Sequence, residues 1–236
     1  EAAHCPLLRI MGTFMHDDED SGSAEAFTVD ADISVERGQV LAVVGPVGSG
    51  KSLLLSSMLK QSKVVRGNVS APANIGVAFQ SPFVISGTVL ENIEFGRPSD
   101  DETLAWVIEA CALQPDLDMF ASGIQTKMGD RGATISGGQM QRLNLARALY
   151  GKPELLVFDD PVSAVDSNCA KIIMTAARTY ASERQAAVVM AISQLEHLQV
   201  ADEIVVLKAG RVTLSGPYAE IVQNPALAEV ISKIKN

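Results

Sequence analysis

The sequence predicts one α/β domain with a helical insert, and three patterns in its 236 residues support this fold class. Residues 40–44 are apolar and mostly β-branched, as in a strand buried on both faces, and a glycine-rich loop and a helical pattern follow them. Residues 87–150 are mostly helical in character. Strand patterns then return at residues 155–158, 186–192 and 204–207. A helical pattern at 169–180 lies between the first and the second of them. Strands that alternate with helices are typical of an α/β core.

The composition limits the functions that are compatible with this fold. The chain is long enough to bury a substantial core, and its hydrophobic content of 47% is that of a globular protein. A formal net charge of −9 argues against general nucleic-acid binding, which relies on basic patches. The three cysteines are Cys5, Cys111 and Cys169. Their spacing is not that of a metal site, and they indicate a reducing compartment.

The chain carries no sign of membrane insertion or secretion. No apolar run approaches the length of a membrane span. The N-terminus lacks the basic and apolar regions of a signal peptide. It begins with Glu1 rather than Met, so we expect the chain to be an excised piece of a longer protein.

The N-terminal part predicts a small antiparallel region. Residues 6–16 alternate like a strand, and residues 27–35 alternate like a half-buried antiparallel strand before a turn at 36–38. The charged segment 17–23 between them is expected to be a solvated loop. Residues 64–73 form a further short β segment, and 75–79 a buried strand that ends at Gln80.

The glycine-rich loop after the first buried strand fits the phosphate-binding pattern G-x-x-x-x-G-K-[ST]. A helical pattern over 51–60 follows it, so the glycines lie where a buried strand turns into a helix. Backbone N–H groups at the helix start would bind an anion. Lys51 would reach the terminal phosphates of a nucleotide, and Ser52 would be a ligand of Mg²⁺. The loop consists of Gly45, Pro46, Val47, Gly48, Ser49, Gly50, Lys51 and Ser52.

The helical insert contains two predicted helices. Residues 100–102 can begin a helix with an apolar side that includes Val107 and Cys111, and Trp106 on the same stretch is expected to pack. A second helix is predicted over 139–150 and is stopped by the glycine and proline that follow. At the other end of the chain, the tail from Tyr218 onward predicts a pair of short helices.

The strand at 155–158 is followed by two carboxylates, Asp159 and Asp160. Ligands of open α/β sheets bind beyond the carboxyl ends of the strands, so these acids are expected beside the phosphate-binding loop. Asp159 would hold Mg²⁺ together with Ser52, and Asp160 is placed to orient an attacking water. The alternative role for such a strand-end pair is helix capping.

A second anion-binding helix start is predicted at Ser136, Gly137, Gly138 and Gln139. One nucleotide could hardly use both helix starts within one chain. Two chains arranged head to tail could instead bind the nucleotide between them.

The chain resembles the nucleotide-binding domains of ATP-binding cassette (ABC) proteins on these motifs. Residues 135–139, Ile-Ser-Gly-Gly-Gln, are similar to the signature LSGGQ with Ile at its first position, and 163–166 resemble the D-loop SALD. The resemblance implies that Gln80 is the Q-loop glutamine, which acts in catalysis and as a ligand of Mg²⁺, and that Asp159 ends the Walker B strand.

Further motifs resemble subfamily C of that family, the multidrug-resistance-associated and cystic-fibrosis-regulator type. Residues 129–132 resemble its GERG, and 86–93 resemble its PGT-x-x-ENI. Residues 159–166 are close to DDPLSAVD, which is found in the first of the two nucleotide-binding domains of that subfamily.

Two departures from the family pattern concern catalysis. The position of the general base is usually Glu and here is Asp160, which is one methylene shorter. The position of the switch histidine is Ser193, which can donate a hydrogen bond but carries no charge. His197 lies four residues further on and is expected on the following helix, where it is a poor substitute.

A third departure concerns the adenine base, which normally stacks on an aromatic side chain upstream of the phosphate-binding loop. His16 occupies that position, and an imidazole offers less stacking area than an indole. Phe14 is the fallback, although core packing is the favoured role for it.

The resemblance implies a RecA-like α/β core, an antiparallel β subdomain and a helical subdomain of about residues 84–152, all within one domain, 1–236. It implies a domain that binds ATP and Mg²⁺, pairs head to tail with a second nucleotide-binding domain, and serves the transmembrane domains of a transporter at the cytoplasmic face of a membrane. The departures at Asp160 and Ser193 imply that its own site hydrolyses ATP slowly. Residues 83–85 would face those transmembrane domains or pack in the core. The alternatives are a regulatory module that never hydrolyses ATP, and a soluble ABC ATPase of DNA repair or translation, which the acidic charge and the subfamily C motifs disfavour.

Overall fold

The structure is a computed structural model that describes residues 6–16, 27–129, 135–225 and 227. Its strands, in chain order, are β1 Leu8–Met15, β2 Thr28–Val35, β3 Val40–Val44, β4 Lys63–Ser70, β5 Ile75–Ala78, β6 Gly87–Thr88, β7 Lys127–Met128, β8 Leu155–Asp159, β9 Ala187–Ala191, β10 Glu203–Lys208 and β11 Arg211–Pro217. Its helices are α1 Lys51–Met58, α2 Val89–Glu94, α3 Asp101–Ala110, α4 Gln114–Met119, α5 Gly137–Tyr150, α6 Ser167–Arg184 and α7 Tyr218–Ile221. Two 3₁₀ turns lie at Gly123–Gln125 and Leu195–Val200.

Nine of these strands form one mixed sheet in the order β4-β1-β2-β11-β10-β3-β9-β8-β5. The strands from β10 to β5 run parallel, whereas β1 runs antiparallel to both of its neighbours, β4 and β2. The sheet with its covering helices confirms the predicted α/β class. The carboxyl ends of β3, β9, β8 and β5 therefore lie side by side at one edge.

The central strands are apolar because both faces of the sheet are covered. Val40, Ala42 and Val44 of β3 pack into a cluster with side chains of α3, α5 and α6. Leu41 and Val43 face the other side, where α1 and the strands β1 and β2 pack. A strand buried on both faces needs this nearly continuous apolar sequence.

Several predicted elements differ from the structure at their boundaries. The helix after the phosphate-binding loop ends at Met58, and β4 ends at Ser70 rather than at residue 73. Strand β11 was not predicted, because its residues alternate only between exposed and half-buried positions. The tail begins with the single helical turn α7. The expected loop 17–23, most of the motif at 129–132 and most of the tail after residue 225 lie outside the described residues.

The stretch between β5 and β8 contains α2 to α5 and a second, two-stranded antiparallel sheet of β6 and β7. Helix α2 begins with a capping box in which the Thr88 and Glu91 side chains each bind the other residue's backbone N–H. Helix α3 is capped by Asp100, whose carboxylate accepts from the backbone N–H of Thr103. Trp106 packs as expected, with its ring centroid 5.5 Å from that of Tyr180.

Candidate functional site

The phosphate-binding loop joins β3 to α1. Gly50 caps the helix with a φ of 102°, and a Cβ atom there would lie 2.6 Å from the side chain of Val29. Any other residue would therefore be strained and would clash. Gly50 and the first residues of α1, Lys51 and Ser52, line the cleft above the sheet edge, and the N–H groups of a helix start are suited to binding an anion.

The Lys51 side chain folds back onto its own loop. Its ammonium group donates to the carbonyl oxygens of Gly45 at 2.7 Å and Pro46 at 3.2 Å. Burial lowers the pKa of Lys51, and the carboxylates of Asp159 and Asp160 offset part of this effect. The Lys51 ammonium group therefore lies close enough to both strand-end acids to be stabilised by their charge.

Ser52 and Asp159 meet across the edge of the sheet. The Ser52 hydroxyl donates to Oδ2 of Asp159 at 2.7 Å. A hydroxyl and a carboxylate are oxygen donors of the kind that Mg²⁺ takes when it also keeps water and phosphate ligands. The two side chains thus fit the magnesium site that the sequence predicts, and Gln80, two residues beyond β5, lines the same cleft.

Asp160 and Ser193 form the second contact at this edge. The Ser193 hydroxyl lies 2.8 Å from Oδ1 and 2.9 Å from Oδ2 of Asp160. A hydroxyl has a single proton to donate, so the two oxygens share it. Asp160 has a φ of 53°, a left-handed conformation that Asp adopts more readily than most residues. Its backbone N–H donates to the carbonyl of Ala191, which holds this turn against β9.

A cleft of about 530 Å³ brings these groups together. Its lining consists of His16, Phe27, Val47, Gly48, Ser49, Gly50, Lys51, Ser52, Leu53, Gln80, Asp159, Asp160 and Ser193. Most of the residues that the sequence predicts for nucleotide and magnesium binding are therefore neighbours in space. The exceptions are the first two residues of the loop and the signature segment 136–139, which are not among the lining residues that the structure describes.

The aromatic residues near the cleft differ from the sequence expectation in one respect. Phe14 is fully buried in the core, so its expected role in packing is confirmed and the fallback role in adenine stacking is wrong. His16 lines the cleft, but so does Phe27, which is 44% exposed and which the sequence analysis did not select. The sequence feature that could have indicated Phe27 is an aromatic residue directly before β2. In the structure its ring lies beside Gly50.

His197 is not part of the cleft lining. It lies on the 3₁₀ turn Leu195–Val200, is 5% exposed, and its Nε2 lies 3.0 Å from Oε1 of Gln194. The expected position on the following helical turn is confirmed. A buried imidazole with this partner is held in place by its own turn.

The signature segment forms the start of α5. Ser136 caps the helix, and its hydroxyl oxygen accepts from the backbone N–H of Gln139 at 3.2 Å while Oε1 of Gln139 accepts from the backbone N–H of Ser136 at 2.8 Å. A Cβ atom on Gly137 would meet no atom within 4 Å, whereas one on Gly138 would lie 2.7 Å from the carbonyl oxygen of Ala164. Gly138 is therefore needed for close packing against the segment 163–166, and Gly137 leaves open space at the helix start.

An apolar surface lies beyond Gln80. Phe83 is 45% and Ile85 38% exposed, whereas Val84 packs against the core. Phe95 is also exposed, and its ring lies 6.0 Å from that of Phe83 in an edge-on arrangement. The guanidinium of Arg147 on α5 lies 4.4 Å and 4.8 Å from these two ring centroids. This surface is thus fixed to the last turns of the signature helix.

Arg147 is buried, with 6% of its surface exposed. Besides the two aromatic rings, its guanidinium contacts oxygen atoms. It donates to the backbone carbonyls of Asn92 and Phe83 and to the side-chain oxygen of Asn92. Burial and the nearby Arg97 lower the pKa of Arg147 to about 10, so it stays protonated at neutral pH.

Helices long and apolar enough to span a bilayer do not occur in the part of the chain that the structure describes.

Comparison with known protein families gives a match over residues 29–163, more than half of the chain, to the model described as ABC transporter. The matched region runs from β2 to the turn after β8 and includes the phosphate-binding loop, the signature segment and both strand-end acids.

Comparison with curated proteins finds relatives in animals, plants and fungi. The chain is 42% identical to the mouse ATP-binding cassette sub-family C member 4 over 79% of its own length and 14% of that protein's. It is 41% identical to the Arabidopsis thaliana ABC transporter C family member 7 over 83% of the chain and 13% of the relative. It is 39% identical to the Multidrug resistance protein fer6 of Mycosarcoma maydis over 84% of the chain and 15% of the relative. The chain therefore spans about one seventh of the length of these relatives.

Proposed function

Because the chain belongs to the ABC transporter family, we propose that it binds Mg-ATP in the cleft and drives or gates a subfamily C membrane transporter. The observation that carries this proposal is the meeting of Lys51, the Ser52–Asp159 contact and the Asp160–Ser193 contact at one sheet edge. These groups supply a cation, a magnesium site and a base position for one triphosphate.

We propose that the phosphates of ATP lie on the N–H groups at the start of α1. Lys51 then leaves the carbonyl oxygens of Gly45 and Pro46 and binds the terminal phosphates. Ser52, Asp159 and Gln80 are the residues that would hold Mg²⁺, which when bound neutralises charge on the phosphates. The adenine base would stack on His16, with Phe27 as a second aromatic surface in the same cleft.

We further propose that this site hydrolyses ATP slowly. The Asp160 carboxylate is one methylene shorter than Glu, and its oxygens already accept from the Ser193 hydroxyl. The Ser193 hydroxyl thus occupies the oxygens that would orient the attacking water, and general-base assistance contributes roughly 10²–10⁴-fold to a rate. Ser193 also lacks the charge that a histidine could bring to the γ-phosphate.

The signature segment supports a head-to-tail pair of nucleotide-binding domains. Residues 136–139 are not among the lining residues of the cleft, yet Gly137 and the Ser136 hydroxyl lie at an open helix start. We propose that they bind the γ-phosphate of ATP held by a second nucleotide-binding domain, where preorganised donors stabilise developing charge. The partner's site would then be the hydrolytic one, and the Lys51 site would hold ATP for longer.

The apolar surface at Phe83, Ile85 and Phe95 fits a contact with transmembrane domains. We propose that the domain works at the cytoplasmic face of a membrane as part of an integral membrane transporter, without a role for nucleic acid. The net charge of −9 agrees with the last point.

A second candidate function is a regulatory module that binds ATP without hydrolysing it. The contact between Ser193 and Asp160 favours this candidate because it occupies the base position. Single-turnover hydrolysis with and without the second nucleotide-binding domain separates the two functions. Hydrolysis that stays at the uncatalysed rate in both conditions would establish the regulatory module.

Replacing Lys51 by Ala tests the nucleotide site directly. We expect ATP affinity to fall roughly 10–100-fold, because the cation that meets the terminal phosphates is lost. Titration with a fluorescent ATP analogue in the presence of Mg²⁺ measures this change. The matched control is Lys171→Ala, which removes an exposed lysine of α6 that does not line the cleft. Equal affinities for wild type and Lys51→Ala would overturn the proposed site.

A further inference from the structure

A buried ion pair lies directly behind the signature segment. The carboxylate of Asp116 on α4 lies 2.6 Å from the guanidinium of Arg142 on α5, and their side chains are 6% and 12% exposed. Asp116 Oδ2 accepts from both Nη2 and Nε of Arg142, the latter at 3.2 Å. The pair joins α4 to the second turn of the signature helix.

The other oxygen of Asp116 holds the signature glutamine. Oδ1 accepts from Nε2 of Gln139 at 3.0 Å, and Oε1 of the same amide accepts from the backbone N–H of Ser136. A carboxylate cannot donate, so it fixes which end of the Gln139 amide points toward the helix start. The Ser136 hydroxyl oxygen accepts from the backbone N–H of Gln139, and its own proton can still be donated to a ligand.

Arg142 extends the same cluster to the next segment. Its Nη1 lies 3.8 Å from the sulfur of Cys169, in the first turn of α6, which follows the segment 163–166. The same Nη1 atom would lie 3.7 Å from a Cβ atom on Gly138. Gly138 in turn packs against the carbonyl oxygen of Ala164. One buried cation thus contacts the first turn of α6 and lies beside Gly138 at the open helix start.

We infer that Asp116 and Arg142 are positioning residues for the signature segment. They hold Gln139 and the start of α6 so that the donors of Ser136 and Gly137 meet a phosphate in the correct direction. This inference rests on the proposed function of the signature. A catalytic group must be held to within about 0.5 Å by the residues behind it, and a misplacement near 1 Å can cost about 100-fold in rate.

Substitution of Asp116 by Asn in the full-length protein tests the inference. Asn keeps the size of the side chain but loses the charge opposite Arg142 and the obligatory acceptor for Gln139. We expect kcat for ATP hydrolysis to fall about 10–100-fold, with ATP affinity at this chain's own cleft unchanged. Asp116→Glu keeps a carboxylate and should recover part of kcat.

A purely structural ion pair is separated from a positioning role by two further variants. Asp100→Asn removes the carboxylate of the Lys152–Asp100 pair, also 2.6 Å long, at the start of α3 away from the signature, and should leave kcat unchanged. The double variant Asp116→Leu with Arg142→Met replaces the buried pair by apolar side chains, which often preserves or raises stability. We expect this variant to unfold at the temperature of the wild type or higher while kcat stays low.

The outcomes separate this inference from the proposed function. Recovery of kcat in the stable apolar double variant, or an unchanged kcat in Asp116→Asn, would overturn the positioning role. If Asp116→Asn has no effect while Ser136→Ala lowers kcat, the signature function stands and only the inference fails. If neither substitution changes kcat, the assignment of the signature itself fails.

Discussion

Substitution of Gly137 by Asp should abolish most ATPase activity of the assembled transporter, with a loss of at least about 10²-fold. The new carboxylate would lie at the open helix start, where we propose that the γ-phosphate of the partner's ATP binds. A Cβ atom at this position meets no atom within 4 Å, so the substitution introduces charge without a clash. An acidic residue in the first turn of a helix also stabilises it by about 0.3–1 kcal/mol, so the loss of activity would not come from unfolding.

The matched control is Gly137→Ala, which keeps the backbone donor and adds no charge. Steady-state ATPase assays on both variants give the comparison, and Gly138 is unsuitable because any Cβ there would press on the carbonyl of Ala164. In the same assay Lys51→Ala should reduce activity less than Gly137→Asp, since it weakens only the site that we propose to be slow. A larger loss in Lys51→Ala would mean that the hydrolytic and slow sites are assigned the wrong way round.

The double substitution Asp160→Glu with Ser193→His should raise ATPase activity roughly 10–100-fold in the paired assembly. The longer carboxylate approaches the attacking water, and the imidazole replaces a hydroxyl that now binds both oxygens of Asp160. The gain carries a cost in stability of about 1 kcal/mol, because position 160 has a positive φ that Asp tolerates better than Glu.

Asp160→Asn in the Ser193→His background is the control for this gain. It removes the base but keeps the size of the side chain and its tolerance of the left-handed conformation. Activity measured with the partner's site disabled isolates the effect to this chain's cleft. A flat or lower rate in the double variant would contradict the slow-site proposal.

The fold was predictable where the pattern of burial is extreme. Strand β3 is buried on both faces and reads as an unbroken apolar run, and the glycine at position 50 marks the strand-to-helix turn. Strand β11 is half exposed, and α2 and α4 have six residues each, too few for a helical period to appear. Such elements depend on tertiary contacts and on caps such as the Thr88–Glu91 box more than on their own periodicity.

The residues around the cleft were predictable because each motif lies at the carboxyl end of a strand. Strands β3, β9, β8 and β5 are neighbours, so topology alone brings their following residues together. Asp116 was not found, because its partners Gln139 and Arg142 lie more than 20 positions away and α4 has no motif of its own. Phe27 was missed for a similar reason, since its approach to Gly50 depends on the pairing of β2 with other strands.

The signature helix α5 can be treated as a lever arm. Its 14 residues span about 21 Å, and Arg147 lies ten residues, or about 15 Å, from Gly137. A tilt of about 5° at the phosphate-facing end would therefore displace the Arg147 end by about 1.3 Å. Because the guanidinium of Arg147 packs on the rings of Phe83 and Phe95, that displacement would also move the exposed aromatic surface. If the phosphate that we propose at the helix start rotated α5 by this amount, the shift at the Arg147 end would exceed the tolerance of close packing.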